Sequence, residues 1–220
     1  MAEKILGVIF DLDGVIVSTD RCHFQAWKRM ADEEGIEFDS MINQRLRGVG
    51  RMESLEIILE KAPGRYSQEQ KNELAGRKNA YYVELIGQLS QADILPGALE
   101  TLDMLRRCGI KTAIGSSSRN TPLILKQIGL DKAFDAVADG NAITRSKPDP
   151  EVFLLAAGML GLKSENCLVV EDADAGIEAA VRGGMQTLGV GGAASNPKAD
   201  YVASDLAAAD FQTILNHQEE

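Results

Sequence analysis

The sequence predicts an α/β fold: a doubly wound parallel sheet with helices on both faces, into which a helical cap is inserted after the first strand. Three observations predict it. From residue 94 onward, short β-rich runs alternate with helical stretches, the rhythm of a parallel sheet wrapped by helices. Between residues 17 and 92 that rhythm is missing, and the chain reads as helix and polar loop alone. The candidate strands end in Asp11 and Asp13, in Ser116, and in Glu171 and Asp172, and open α/β sheets take their ligands at that carboxyl edge.

Taken in order, residues 4–10 read K-I-L-G-V-I-F, a short apolar run with the character of a buried parallel strand. Residues 23–35 change to helical spacing, with Phe24, Trp27, Met30 and Ala31 on one face and Gly35 as a C-cap. Further helices are expected over 39–45, 52–61 and 67–89, the last opened by a Ser67/Gln70 capping box. After Ile94-Leu95-Pro96-Gly97 come a helix over 98–108 and a strand over 110–114. A Ser-rich turn leads to a helix over 120–128 and a short strand over 136–138. Lys147-Pro148-Asp149-Pro150 opens a helix over 151–160; a strand over 166–170, a helix over 175–182 and a last strand over 186–190 follow. The expected division is a Rossmann-like core of residues 1–16 with 93–220, and a cap of residues 17–92.

Composition narrows the function. Hydrophobic residues make up 45% of the 220, enough for a packed core. No apolar run approaches the ~18–20 residues of a membrane span, and the short N-terminal run stops at Asp11, unlike a signal peptide. Cys22, Cys108 and Cys167 are odd in number and far apart, which fits a reducing compartment and, with the rest, the cytoplasm. Two histidines, His23 and His217, are too few for a zinc site. A formal net charge of −10 argues against a nucleic-acid partner, and no membrane partner is expected. A monomer is expected.

The strand-end residues share one chemistry. In an extended D-L-D-G-V, Asp11 and Asp13 point the same way while Leu12 turns inward, and Gly14 permits a turn or a close ligand. Magnesium favours a few carboxylates with phosphate and water. A hydroxyl and a lysine, Ser116 and Lys147, suit phosphoryl oxygens. Taken singly, each has a plainer explanation: an acidic turn, an N-capped turn at 116–120, helix punctuation at Lys147-Pro148, a solvated acidic cap at Glu171-Asp172. All four holding together, in order and around one sheet edge, is the weaker account. A lone G-x-G at 189–191 precedes no clear helix and is discounted as a dinucleotide site.

F-D-L-D-G-V at 10–15, Ser116, Lys147-Pro148 and Glu171-Asp172 resemble, in order, the four motifs of the haloacid dehalogenase-like superfamily. The resemblance implies Asp11 as a nucleophile that becomes an aspartyl phosphate and Asp13 as general acid and base. It implies Mg2+ held by Asp11, the backbone carbonyl of Asp13 and Asp172, with Glu171 close by. Ser116 and Lys147 would grip the transferring phosphoryl group. Within the superfamily, T-x-x-x-H-F-Q-A-W-K at 19–28, L-R-G-V-G-R at 46–51, R-K-N at 77–79, I-L-P-G at 94–97 and S-S-S-R-N at 116–120 resemble the β-phosphoglucomutase family.

That second resemblance implies interconversion of the sugar phosphates β-glucose 1-phosphate and glucose 6-phosphate through β-glucose 1,6-bisphosphate. The alternative is a sugar-phosphate phosphatase of the same fold. Arg51 would hold the idle phosphate, and Arg47 would lie near the sugar. Thr19, His23 and Lys78 would help the cap organise Asp13, while Ser118, Arg119 and Asn120 line the site from the core. Trp27 belongs to the same cap segment and reads as cap core. Plainer readings stand beside these: His23 packed on Phe24 and Trp27, Arg47 and Arg51 on one solvated helical face, Lys78 facing solvent. Gly48, between the two arginines, argues for a turn instead. The chain departs from the common family pattern at Ser18, Arg47, Gly50 and Arg119.

Overall fold

Strand β1 (Gly7–Phe10) is buried along its whole length, as a strand becomes when helices cover both faces of its sheet. In the computed structural model, which describes residues 4–46 and 49–216, it lies at the centre of a parallel sheet. Its neighbours are β2 (Lys111–Gly115) and β4 (Cys167–Glu171). Outside these lie β3 (Ala136–Ala138), β5 (Gln186–Gly189) and β6 (Tyr201–Val202), giving the order β3-β2-β1-β4-β5-β6. The register is what matters for the site. Phe10 pairs with Ile114 on one side and Val170 on the other, so Asp11, Gly115 and Glu171 come next at one level.

Small residues bring a helix close to this edge. α7 (Glu151–Leu160) packs Val152, Phe153, Ala156 and Ala157 into one core cluster with Ile9, Ala113, Ala136 and Val169. A Cβ on Gly115 would stand 2.7 Å from the Phe153 ring, so glycine there sets how near the ring comes. α8 (Asp174–Arg182) adds Ala179 and Ala180 to the cluster, and α5 (Ala98–Arg107) lies against β2. α6 (Thr121–Gln127) links β2 to β3.

The insert is helical, as expected: α1 (Asp20–Glu33), α2 (Ser40–Gln44), α3 (Arg51–Leu59) and α4 (Gln68–Ile86). Trp27, Met30 and Ala31 of α1 are buried with Leu55, Ile58 and Leu74, and Phe24 packs beside them. Ser67 and Gln70 cap α4 reciprocally, each side chain accepting from the other's backbone N–H at 3.3 and 2.8 Å. α1 begins earlier than its apolar spacing suggests. Thr19, its N-cap, makes no side-chain cap bond, because its Oγ1 accepts the Tyr82 hydroxyl at 3.0 Å.

The chain divides into two compact units, Met1–Ser18 with Ser90–Glu220, and Thr19–Leu89. Val17, placed in the insert on sequence, bridges both Asp13 and Ile94 and so goes with the sheet. Among the described residues one strand and one α-helix escaped the sequence pattern, β6 and α9 (Phe211–Asn216). Two residues are too few to show alternation; β6 is fixed from outside itself, Asp200 accepting from Thr187 N and Oγ1 at 2.8 and 2.9 Å. Among the described residues no helix is long and apolar enough to cross a membrane.

Phe153 is fully buried at the centre of the cluster under the site. Phe153→Ala is therefore expected to cost about 3–5 kcal/mol in urea unfolding. A loss below about 1 kcal/mol, no more than a surface substitution, would mean that this cluster does not carry the sheet.

Candidate active site

The site begins where β1 runs out. Asp11 N donates to Val170 O at 2.9 Å, which carries the strand pairing one residue further and fixes the Asp11 backbone. The chain then folds back sharply: Gly14 N donates to Val17 O at 2.8 Å, and Gly14 has φ +87, a left-handed value that favours glycine. The close approach is more telling than the angle. A Cβ on Gly14 would lie 2.1 Å from Asp172 Oδ2, so the Asp172 carboxylate occupies the space a side chain would fill.

Lys147 closes the other side. Its Nζ donates to Asp11 Oδ1 at 2.5 Å and to Glu171 Oε1 at 2.7 Å, and it lies 4.5 Å from the centre of the Phe153 ring. Burial works against the ammonium, but the carboxylates of Asp11 and Glu171 outweigh it and hold the proton well above the ordinary lysine range. Glu171, grouped with the metal ligands on sequence, has both oxygens engaged: Oε1 by Lys147, Oε2 by Ala173 N at 2.8 Å. It serves chiefly as the lysine's second anchor. A Cβ on Gly176 would meet Glu171 Oε1 at 1.9 Å, so the first turn of α8 is cut away to admit it.

Ser116 follows β2 and is buried; its N donates to Ala138 O at 3.1 Å and its Oγ accepts from Ser118 N at 3.2 Å. Ser118 Oγ in turn accepts from Asn120 N at 3.2 Å, just before α6. Arg119 is exposed, and its carbonyl accepts from Asn141 Nδ2 at 3.0 Å.

The cap holds its own polar cluster. Lys78, open on sequence to a solvated reading, is only 2% exposed. Its Nζ lies 2.9 Å from His23 Nδ1, 4.8 Å from the centre of the Trp27 ring and 4.7 Å from that of Tyr82. Burial first, then the charges of Lys78 and Arg51, hold His23 well below the ordinary imidazole value. A neutral ring can accept from Lys78 at Nδ1, which leaves Nε2 as the proton-bearing nitrogen. Arg51 is the first residue of α3, and α2 ends at Gln44, so Arg51 opens a helix. Arg47 and Gly48 lie outside the described residues.

Residues 5–184 match the model of the haloacid dehalogenase-like hydrolase family. The chain belongs to that family. It is 42% identical over 214 residues to a β-phosphoglucomutase of Bacillus subtilis, spanning 96% of this chain and 94% of that one. It is 31% identical to a phosphorylated carbohydrates phosphatase of Thermotoga maritima, spanning 95% and 96%. The crystal structure of a β-phosphoglucomutase from Clostridium difficile superposes with a TM-score of 0.88 at 39% identity, covering 96% of this chain and 95% of that one.

As a haloacid dehalogenase-like hydrolase, the chain has a donor set that fits a hard cation. Among the described residues no three His, Cys, Asp or Glu side chains make a ready cage. Magnesium asks for less, one or two carboxylates completed by water and phosphate. Burial, then the neighbouring Glu171, Asp11 and Asp13, push the Asp172 carboxyl up to about 8 against the opposing pull of Lys147. At Asp172 the neighbouring carboxyl groups thus outweigh the Lys147 ammonium, and a bound cation would relieve the excess.

Tyr82 is the cap residue that sequence reasoning missed. It bonds Thr19, stacks on His23 with ring centres 4.2 Å apart and flanks Lys78. Its signal was the i, i+4 spacing from Lys78 on one helix face.

A carboxyl raised from 3.8 to about 8 favours the folded state fully only at low pH, and that contribution is lost as pH rises through about 8. In chelator, Asp172→Asn is therefore expected to melt at a higher temperature than the parent protein. The gap should widen with pH and level off above about 8. A lower melting temperature for the variant across this range would show that the carboxylate is structurally compensated.

Proposed function

We propose that this protein is a magnesium-dependent phosphomutase that interconverts β-glucose 1-phosphate and glucose 6-phosphate. The likeness to β-phosphoglucomutase across nearly the whole chain supports the substrate, and the Lys147 bridge between Asp11 and Glu171 supports the chemistry. A carboxylate nucleophile divides a hard transfer into two easier ones. Asp11 attacks phosphorus, its C–O–P bond forms, and the bond from phosphorus to the sugar oxygen breaks. Asp13 gives its proton to that departing oxygen. Asp13 then takes a proton from the 6-hydroxyl of β-glucose 1-phosphate, whose oxygen attacks the phosphoaspartate, frees Asp11 and forms β-glucose 1,6-bisphosphate. Attack of Asp11 on the 1-phosphate of that intermediate, turned about, releases glucose 6-phosphate and restores the phosphoaspartate.

Lys147 and the Ser116 hydroxyl hold the phosphoryl oxygens as charge redistributes among them. Asp11, the backbone carbonyl of Asp13 and Asp172 would hold Mg2+. When bound, the ion supplies charge neutralisation at the phosphoryl oxygens. In the cap, Arg51 takes the phosphate that is not transferring; a guanidinium fork suits that task through paired charge-assisted bonds. Thr19, His23 and Lys78 organise the cap for Asp13, with Trp27 as their apolar floor, and Ser118, Arg119 and Asn120 contribute from the core. A phosphatase reading is favoured by the Thermotoga relative. It needs no second phosphate site, and there Arg51 decides.

Arg51→Ala is expected to lower kcat/KM for β-glucose 1-phosphate about a hundredfold, the scale of charged hydrogen bonds worth about 3 kcal/mol. Hydrolysis of acetyl phosphate, which carries one phosphate only, should change by less than about twofold in the same preparation, well under one 1.4 kcal/mol step. Asp11→Asn should abolish both. Equal loss of both rates in Arg51→Ala would remove the second-phosphate assignment, and activity surviving in Asp11→Asn would remove the phosphoaspartate.

A further inference from the structure

Lys147 works from a stretch of chain without regular structure. Between β3 and α7, residues 139–150 form neither helix nor strand. Yet the Lys147 ammonium bonds two carboxylates at once, on Asp11 and on Glu171. A side chain on a loop reaches such a point reproducibly only when the loop backbone is itself held. Downstream the hold is plain: α7 follows directly, its Val152 and Phe153 are fully buried, and the Phe153 ring lies beneath the lysine.

Upstream the hold comes from Glu151, the first residue of α7. Its carboxylate turns back onto the chain that precedes Lys147. Oε1 accepts from Thr144 N at 3.0 Å and Oε2 from Arg145 N at 2.8 Å, and the Thr144 hydroxyl donates to Oε2 at 3.0 Å. Successive backbone N–H groups that converge on one anion make a strong, oriented hold. Thr144 and Glu151 thereby close a ring of chain around Lys147. Asp149 braces the ring from within. Its Oδ1 accepts from Glu151 N at 3.0 Å, its N donates to Ser146 O at 3.0 Å, and its Oδ2 pairs with Arg145 at 3.0 Å. The bonds from Thr144 N and Arg145 N hold the Glu151 carboxyl below the usual carboxylate range, so it clamps as the anion.

A glutamate in the first turn of a helix has a plainer explanation, attraction to the helix dipole. That explanation asks only for proximity to the helix end. It does not account for both oxygens being spent on residues six and seven places earlier in the chain. We propose that Glu151 is a positioning residue for phosphoryl transfer, its carboxylate pinning the loop that carries Lys147 to α7. It touches no reacting atom and acts through the lysine. The proposal rests on the phosphoryl-transfer reading of the site and adds to it a residue outside the four motifs.

The test is Glu151→Gln in the full chain, which keeps the length of the side chain and one accepting oxygen but turns the other into a donor. Hydrolysis of acetyl phosphate with magnesium is expected to lose about tenfold in kcat/KM, since misplacement of about 1 Å from a change away from the chemistry costs up to about a hundredfold. A second readout follows the lysine itself. The Lys147 ammonium is buried between two carboxylates, so its Nζ protons should exchange slowly and give a resolved nitrogen–proton NMR signal in the parent protein, assigned by its loss in Lys147→Arg. In Glu151→Gln that signal should broaden or vanish at a temperature where the variant is fully folded. A kcat/KM within twofold of the parent overturns the proposal. So does an Nζ signal identical to the parent's, even beside a lower melting temperature, because Glu151 then serves stability alone. Turnover that survives Asp11→Asn defeats the phosphoaspartate reading instead, and the Nζ signal still decides whether Glu151 holds the lysine.

Discussion

One buried ammonium keeps the catalytic edge of this sheet together. Lys147 joins the strand-end carboxylates of β1 and β4 through Asp11 and Glu171. Without it those two carboxylates would stand at one level, side by side, with burial denying them water to screen the repulsion. A buried ion pair is poor evidence of added stability, because desolvation offsets much of the attraction. Here its work is positional. It fixes the Asp11 side chain in place and keeps a cation at the carboxyl edge of the sheet. The rest follows from making room: Gly176 admits Glu171, Gly14 admits Asp172, and Gly115 lets Phe153 lie close beneath the lysine.

The cap solves a similar problem by different means. Lys78 is as deeply buried as Glu171, yet it lies against a neutral imidazole and two aromatic faces. Ring quadrupoles and a lone pair are softer partners than two carboxylates. Lys147 is locked by opposite charge, and Lys78 lies beside an imidazole that burial, with Lys78 and Arg51, holds well below its ordinary value.

Much of this was legible in the sequence. The β-rich runs and their polar ends stand in order along the chain, and the strand register then makes neighbours of Asp11 and Glu171 across 160 residues. What stayed hidden has physical causes. Lys78 shares a buried stripe of α4 with Leu74, Tyr82 and Ile86, but a lysine in a charged helix carries no outward mark of burial. Thr19 looks like an ordinary N-cap until Tyr82 claims its hydroxyl. Glu171 reads as one more metal carboxylate until both its oxygens are found engaged.

In the proposed mutase, a phosphoryl group taken by Asp11 returns to sugar rather than to water. Phosphorus NMR of β-glucose 1-phosphate with protein, magnesium and a trace of β-glucose 1,6-bisphosphate tests it most directly. A mutase replaces the starting signal with that of glucose 6-phosphate, with total sugar phosphate conserved. Inorganic phosphate growing in step with the loss of β-glucose 1-phosphate, with no glucose 6-phosphate, would contradict it.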